Sequence, residues 1–164
     1  HLPGMSILKF GFDEFDDNPH KPQNITEDIV VYTGTHDNDT TKGWFNSLEE
    51  NVKKHVLQTL DLSVADDSFA DGNNCWFDTV EMADLVVEKM VDIAMYSRAN
   101  ICIIPIQDCL YLDSDARMNT PGTITGNWQW QFQWEQVELQ HDSSRMEKMR
   151  LRNEKAHRLV EANN

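Results

Sequence analysis

The string Thr33-Gly34-Thr35-His36-Asp37-Asn38-Asp39-Thr40-Thr41 crowds an imidazole, two carboxylates, an amide and four hydroxyls into nine consecutive positions. Such groups relay protons, hold hydroxyl-rich ligands by hydrogen bonds, or stabilise charge that develops during a reaction. A shorter polar string, Gln107-Asp108, follows a second apolar run. A local explanation competes with these readings: Asp and Asn after a strand often cap the next helix or close a turn. Asp39 is open to that explanation, although its neighbour Thr41 offers an alternative cap. His36-Asp37 fits it less well, because no adjacent apolar face gives the imidazole a packing role.

Several chemistries lack their motif. The chain has no G-x-S-x-G elbow, no G-x-x-x-x-G-K-[ST] phosphate loop, no G-x-G-x-x-G fingerprint and no H-E-x-x-H zinc helix. Asp37-Asn38-Asp39 matches the D-x-D pattern by which some nucleotide-sugar transferases hold a divalent metal. Asp113-Ser114-Asp115 matches it equally, so one of the two is coincidence. A metal-dependent nucleotide-sugar glycosyltransferase is therefore one alternative. A third region, Asn127-Trp128-Gln129-Trp130-Gln131-Phe132-Gln133-Trp134, alternates amides with aromatics. In a strand the aromatics line one face and the amides the other. Aromatic faces stack on sugar rings and amides bond hydroxyls, which suggests a carbohydrate surface or a non-catalytic glucan-binding module. The plainer reading is a half-buried strand packing on the core.

The elements that position these groups follow from hydrophobic periodicity. Ile29-Val30-Val31-Tyr32 and Ile101-Cys102-Ile103-Ile104-Pro105-Ile106 are short continuous apolar runs, the pattern of strands buried on both faces of a parallel sheet. Ile7 through Phe12 reads as another strand, followed by a solvated acidic loop from Asp13 to Pro19 that lacks the spacing of a calcium loop. Helices are expected over 48–60, with Ser47 and Glu50 as a capping box, over 79–97, with Asp78 and Glu81, and over 145–160, with Ser144 and Glu147. The second carries Val80, Ala83, Val87, Met90, Val91 and Ala94 on one face and Asp84, Glu88 and Asp92 on the other. A polar loop covers 61–74. The order strand, helices, strand argues a parallel crossover. In such architectures the C-terminal ends of the strands are where sites are built, and both polar strings lie there.

With 14 Lys+Arg against 28 Asp+Glu in 164 residues, the net charge is −14. A surface this acidic repels phosphate backbones and anionic lipid, so neither nucleic acid nor a membrane is an expected partner. No apolar run approaches the roughly 18 residues of a membrane span. The composition, 40% hydrophobic and 26% charged, is that of a globular chain. Cys75, Cys102 and Cys109 form no C-x-x-C pair and suggest buried reduced thiols in a reducing compartment. The chain starts at His1 rather than Met, which raises the expectation that it is a piece of something longer.

Read together, the motifs resemble the 4-α-glucanotransferases, also called amylomaltases or disproportionating enzymes. The resemblance rests on Val31 through Trp44 with its His36-Asp37-Asn38-Asp39-Thr40-Thr41 centre. It extends to Leu2-Pro3-Gly4-Met5, Pro105-Ile106-Gln107-Asp108, and Ala116 through Gly122 followed by Gly126-Asn127-Trp128. It implies a (β/α)₈ barrel, of which residues 1–164 form the C-terminal part of one catalytic domain. The strands at 7–12, 29–33 and 101–106 then correspond to the sixth, seventh and eighth. It also implies retaining transfer of α-1,4-glucan segments between maltooligosaccharides, or to glucose as acceptor, with no cofactor and no metal. On this resemblance the nucleophile and the acid/base lie upstream of His1, so the chain alone is expected to be inactive. Asp37 matches the third catalytic carboxylate, which stabilises the transition state. His36 and Asn119 match positions that bind the sugar. The family usually has Arg where Gln129 and Gln131 flank Trp130. The expected location is the cytoplasm, or a plastid interior in a photosynthetic eukaryote. A neutral polysaccharide suits the acidic surface, which neither attracts nor repels it.

Overall fold

Ile29-Val30-Val31-Tyr32 is a continuous apolar run, and it forms the middle strand of a sheet. The computed structural model describes residues 2–62, 79–134 and 143–158. Within them β1 (Gly4–Ile7), β2 (Ile29–Tyr32) and β3 (Ile101–Ile103) form a parallel sheet in the order β1-β2-β3. Five helices accompany it: α1 (Thr41–Ser47), α2 (Glu50–Thr59), α3 (Thr79–Tyr96), α4 (Ile106–Cys109) and α5 (Ser143–Lys155). The architecture is α/β, as expected, with parallel strands.

Register decides what each face does. Ser6, Val31 and Cys102 align across the sheet, and Met5, Val30 and Ile101 form the next row, on the opposite face. The first row lies under the helices. Val31 is fully buried in a cluster with Ala83, Val86, Met90 and Ala94 of α3 and with Phe45, Val56 and Leu60. The second face corrects the expectation of strands buried on both sides, because within this chain no layer covers it: Met5 is 55% exposed, Ile101 50% and Ile103 45% among the described residues.

Helix α3 is the main buttress, matching the expected helix to within one residue. A second apolar group, Val87, Val91 and Met95, packs with Tyr111 and against Met149 of α5. Its acidic stripe is tied down by cations. Asp84 pairs with Lys42 of α1 at 2.6 Å and with Arg145 of α5 at 3.8 Å. Glu88 pairs with Lys148 at 2.7 Å and accepts from the Tyr111 hydroxyl at 2.9 Å. Asp92 meets Arg152 at 2.5 Å. Helix α5 ends in a Schellman closure: His157 takes a left-handed φ of 53°, and the amides of His157 and Arg158 return to the carbonyls of Glu154 and Asn153. Arg158 then fans its guanidinium over the end of α3 and the entry to β3. It donates to the carbonyls of Met95 (2.7 Å), Ala99 (2.7 Å), Ser97 (3.2 Å) and Asn100 (3.3 Å).

Several local expectations are corrected. The first strand is Gly4–Ile7 rather than Ile7–Phe12; Leu8–Phe10 coil into a 3-10 turn closed by the Gly11 amide on the Leu8 carbonyl at 2.9 Å. An extended chain would send Leu8 and Lys9 to opposite faces, whereas the turn buries both, at 2% and 6% exposure. In place of one helix over 48–60 there are two. Thr40 accepts the Gly43 amide at 3.0 Å and starts α1 early, and the chain is extended at Leu48 and Glu49 before α2. Ser47 therefore ends a helix, its hydroxyl donating to the Trp44 carbonyl, and caps none. The third strand stops at Ile103, because Pro105 brings no N–H to a ladder and instead precedes α4. Ser144 lies inside α5, which begins at Ser143 and stops at Lys155 rather than at 160. Trp128 through Trp134 form no strand: Trp128 has a φ of 61°, and the alternation yields no single face. The polar loop from residue 63 on, Asp78 and Cys75 lie outside the described residues.

Cys102 and Cys109 are free thiols, and burial pushes each up to about 11. Among the described residues, no helix is long and apolar enough to cross a membrane.

Candidate active site

The candidate site stands at the C-terminal end of the sheet, where β2 passes through buried Thr33 into residues 34–40 and then into α1. Two glycines make the loop's close approaches possible. A Cβ on Gly34 would lie 2.6 Å from Lys9 Nζ, and one on Gly43 would lie 2.2 Å from Ser114 Oγ and 2.9 Å from Asp39 Oδ1.

Each polar residue of the loop has a distinct task. Asn38 turns inward: its Oδ1 accepts the Thr35 amide at 2.9 Å and the Thr35 hydroxyl at 3.0 Å. Asp39 is committed twice, accepting the Thr40 amide on Oδ1 (2.8 Å) and the Ser114 hydroxyl on Oδ2 (2.7 Å). Thr40, and neither Asp39 nor Thr41, caps α1. Asp37 faces outward. Its Oδ1 accepts from Asn119 Nδ2 at 2.6 Å and lies 3.3 Å from His36 Nε2. Its carbonyl accepts from Arg117 Nη2 at 2.9 Å. The side chains of His36 and Asp37 are 57% and 52% exposed. Asp37 Oδ2 has no donor among the described residues.

The partner segment comes from beyond β3. Asp113 caps a 3-10 turn over Ser114–Ala116, and Arg117 Nε then donates to the Asn119 carbonyl at 2.8 Å, which aims the Asn119 amide at Asp37. Trp128 closes the far side: its amide reaches the Met118 carbonyl at 2.6 Å and its ring lies 5.1 Å from that of His36. A bulky residue held in the left-handed region is the kind of strain that clusters at functional sites. Beside the loop is a cleft of about 120 Å³, open to solvent, whose walls include Lys9, His36, Asp39, Asp108 and Arg117. Asp37 is not among its lining residues.

The structure thus brings His36, Asp37 and Asn119 together from two segments more than eighty residues apart, and it turns Asp39 and Asp108 inward. Of the first D-x-D string, Asp39 is engaged by Ser114 and Thr40, and Asp37 by Asn119 and His36. Three participants were not singled out from the sequence. Arg117 lies inside a motif already noted. Trp128 was grouped with a stripe rather than with His36. Lys9 gave a usable signal, a lone cation in an apolar run. Burial pushes the Lys9 ammonium below its ordinary range, opposed by Asp108 and Asp39 and assisted by Arg117.

What the arrangement can do chemically is limited and specific. It offers one outward carboxylate with one oxygen fixed, an imidazole and an amide beside it, and an indole wall. That set suits a ring bearing several hydroxyls and a partial positive charge.

A family model described as 4-alpha-glucanotransferase matches residues 1–138. The chain is 40% identical over 130 residues to the chloroplastic/amyloplastic 4-alpha-glucanotransferase of Solanum tuberosum, covering 79% of this chain and 19% of that protein. It is 39% identical over 133 residues to the 4-alpha-glucanotransferase of Thermus thermophilus, covering 80% and 24%. Among solved structures it resembles the amylomaltase from Streptococcus agalactiae in complex with acarbose, with a TM-score of 0.76 at 26% identity, over 97% of this chain and 28% of that one. The chain spans about a fifth to a quarter of the length of the curated relatives it matches.

Proposed function

The chain belongs to the 4-alpha-glucanotransferase family, and from that premise we propose that it supplies one wall of a retaining transglycosylation site. The protein cuts an α-1,4-glucan or maltooligosaccharide and passes the segment to a second glucan chain or to glucose. The observation that carries this reading is the outward Asp37 carboxylate, braced by the Asn119 amide at 2.6 Å and flanked by His36. Retaining transfer runs through oxocarbenium-like states, and hydrogen bonds to the ring hydroxyls strengthen as charge develops. Asp37, through its open Oδ2, binds those hydroxyls and stabilises that charge. His36 and Asn119 hold the same ring, and the exposed Trp128 face gives it a stacking surface. The nucleophile and the acid/base come from other strands, and no metal or cofactor takes part.

The same reading accounts for the open sheet face. The three strands are the sixth to eighth of a (β/α)₈ barrel, residues 1–164 belong to its one catalytic domain, and Met5, Val30, Ile101 and Ile103 form part of its filled interior. This segment alone is inactive. The free cysteines fit a reducing interior, whether cytoplasm or plastid.

The test is Asp37→Asn in the full-length protein, with maltotriose disproportionation as the readout. The expected result is a fall in kcat of about a hundredfold or more, with maltooligosaccharide binding changed only a few-fold. A near-normal kcat overturns the assignment.

A further inference from the structure

Asp108 is 1% exposed and forms no part of the outward cluster, yet its carboxylate is fully used. Oδ2 accepts from the Thr33 hydroxyl at 2.6 Å and the Thr41 hydroxyl at 2.7 Å; Oδ1 accepts the Thr41 amide at 2.8 Å. Thr33 is the last residue before the loop and Thr41 the first residue of α1. One carboxylate from beyond β3 therefore staples both ends of the segment that presents His36 and Asp37. From the β1 side, Lys9 donates Nζ to the Asp39 carbonyl. The loop is gripped from the segments that follow both neighbouring strands.

We propose that Asp108 is a positioning residue for Asp37, holding the loop through Thr33 and Thr41, with Lys9 as its opposite anchor. The inference rests on the functional reading above and deepens it. The charge has a reason. An amide at Asp108 has one acceptor oxygen: with it on the Thr41 amide, Nδ2 forces both threonine hydroxyls to accept and their protons lose the acceptor they have here, and with it on the hydroxyls, Nδ2 meets the Thr41 N–H. The hub's side chains are polar and linked by hydrogen bonds, so exchanging one for a residue of similar size loosens the loop without emptying apolar volume. Displacing a catalytic group by about 1 Å from a remote site can reduce a rate by about a hundredfold.

The experiment uses the full-length protein and follows kcat, KM and Tm for Asp108→Asn, Thr41→Val and Thr41→Ser, each with and without Asp37→Asn. With Asp37 intact, Asp108→Asn and Thr41→Val are expected to lower kcat by about ten- to a hundredfold with KM within about threefold. Thr41→Ser, which keeps the hydroxyl, recovers most of the rate. In the Asp37→Asn background the further loss shrinks to about twofold or less, because groups that act as a unit are not additive. Thr41→Val keeps the test intact if Asp108→Asn does not fold. Equal losses in both backgrounds, or a near-normal kcat in Asp108→Asn and Thr41→Val beside a crippled Asp37→Asn, overturn the positioning role alone. A near-normal Asp37→Asn overturns the functional reading itself.

Discussion

Two regions of the molecule are rich in carboxylates and use them in opposite ways. Along α3, Asp84, Glu88 and Asp92 each meet a cation or hydroxyl from another element, so their charge fastens helices together. At the strand ends, Asp39 and Asp108 are satisfied by fixed neutral donors, and Asp108 has Lys9 nearby. This internal fastening leaves Asp37 half exposed, with one oxygen open among the described residues. The lesson is that the site's available charge is a remainder, left over after its neighbours have been spent on holding the loop.

That contrast can be broken or sharpened. The largest effect is the loss of turnover in Asp37→Asn, which should come with a Tm within a few degrees of the parent. The mirror case is Asp84→Ala. It removes the shared partner of Lys42 and Arg145, partly shielded at 27% exposure, and should cost about 1 kcal/mol in chemical denaturation while leaving kcat unchanged. If Asp84→Ala lowers kcat strongly, the two regions are coupled and the division fails.

Acid separates them next. Burial pushes Glu88 up, but the hydrogen bonds from Lys148 and Tyr111 outweigh it and hold the carboxyl below its usual 4.5. A depressed carboxylate contributes stability that is full above the unfolded value and is lost as pH falls through the folded one. Urea titrations should therefore show Glu88→Gln diverging from the parent above the usual carboxylate range and converging with it as pH falls below that range. The smallest effect belongs to Glu147→Gln. The Glu147–Arg150 pair is solvent-exposed, and its removal should leave Tm unmoved within error.

The sequence disclosed these regions unequally. β2 and α3 were legible because each is a long or pure apolar pattern with one solution. Ile7 through Phe12 misled, since alternation cannot show that Leu8 and Lys9 are both to be buried, which only a tight turn achieves. The helix after β2 was misplaced because Ser47 and Glu50 imitate a capping box, while Thr40 acts earlier and hands Phe45 to the core. The Trp128–Trp134 alternation carried the period of a strand, yet the left-handed φ at Trp128 and a seat beside His36 belong to tertiary contacts. At the site, position after a strand pointed to His36-Asp37, and resemblance pointed to Asn119. The Asp108 hub stayed hidden, because its partners lie 67 and 75 residues away and no local period links them.

The Arg158 fan bears on when the fold can form during synthesis. Its four carbonyl partners lie at the end of α3 and the threshold of β3, but the guanidinium that gathers them emerges from the ribosome almost sixty residues after Asn100. Sheet pairing in this region can begin as soon as β3 appears, yet its entrance stays unlatched until Arg158 arrives. A nascent chain stalled between the two should expose that threshold to proteases, and release of the next stretch should close it.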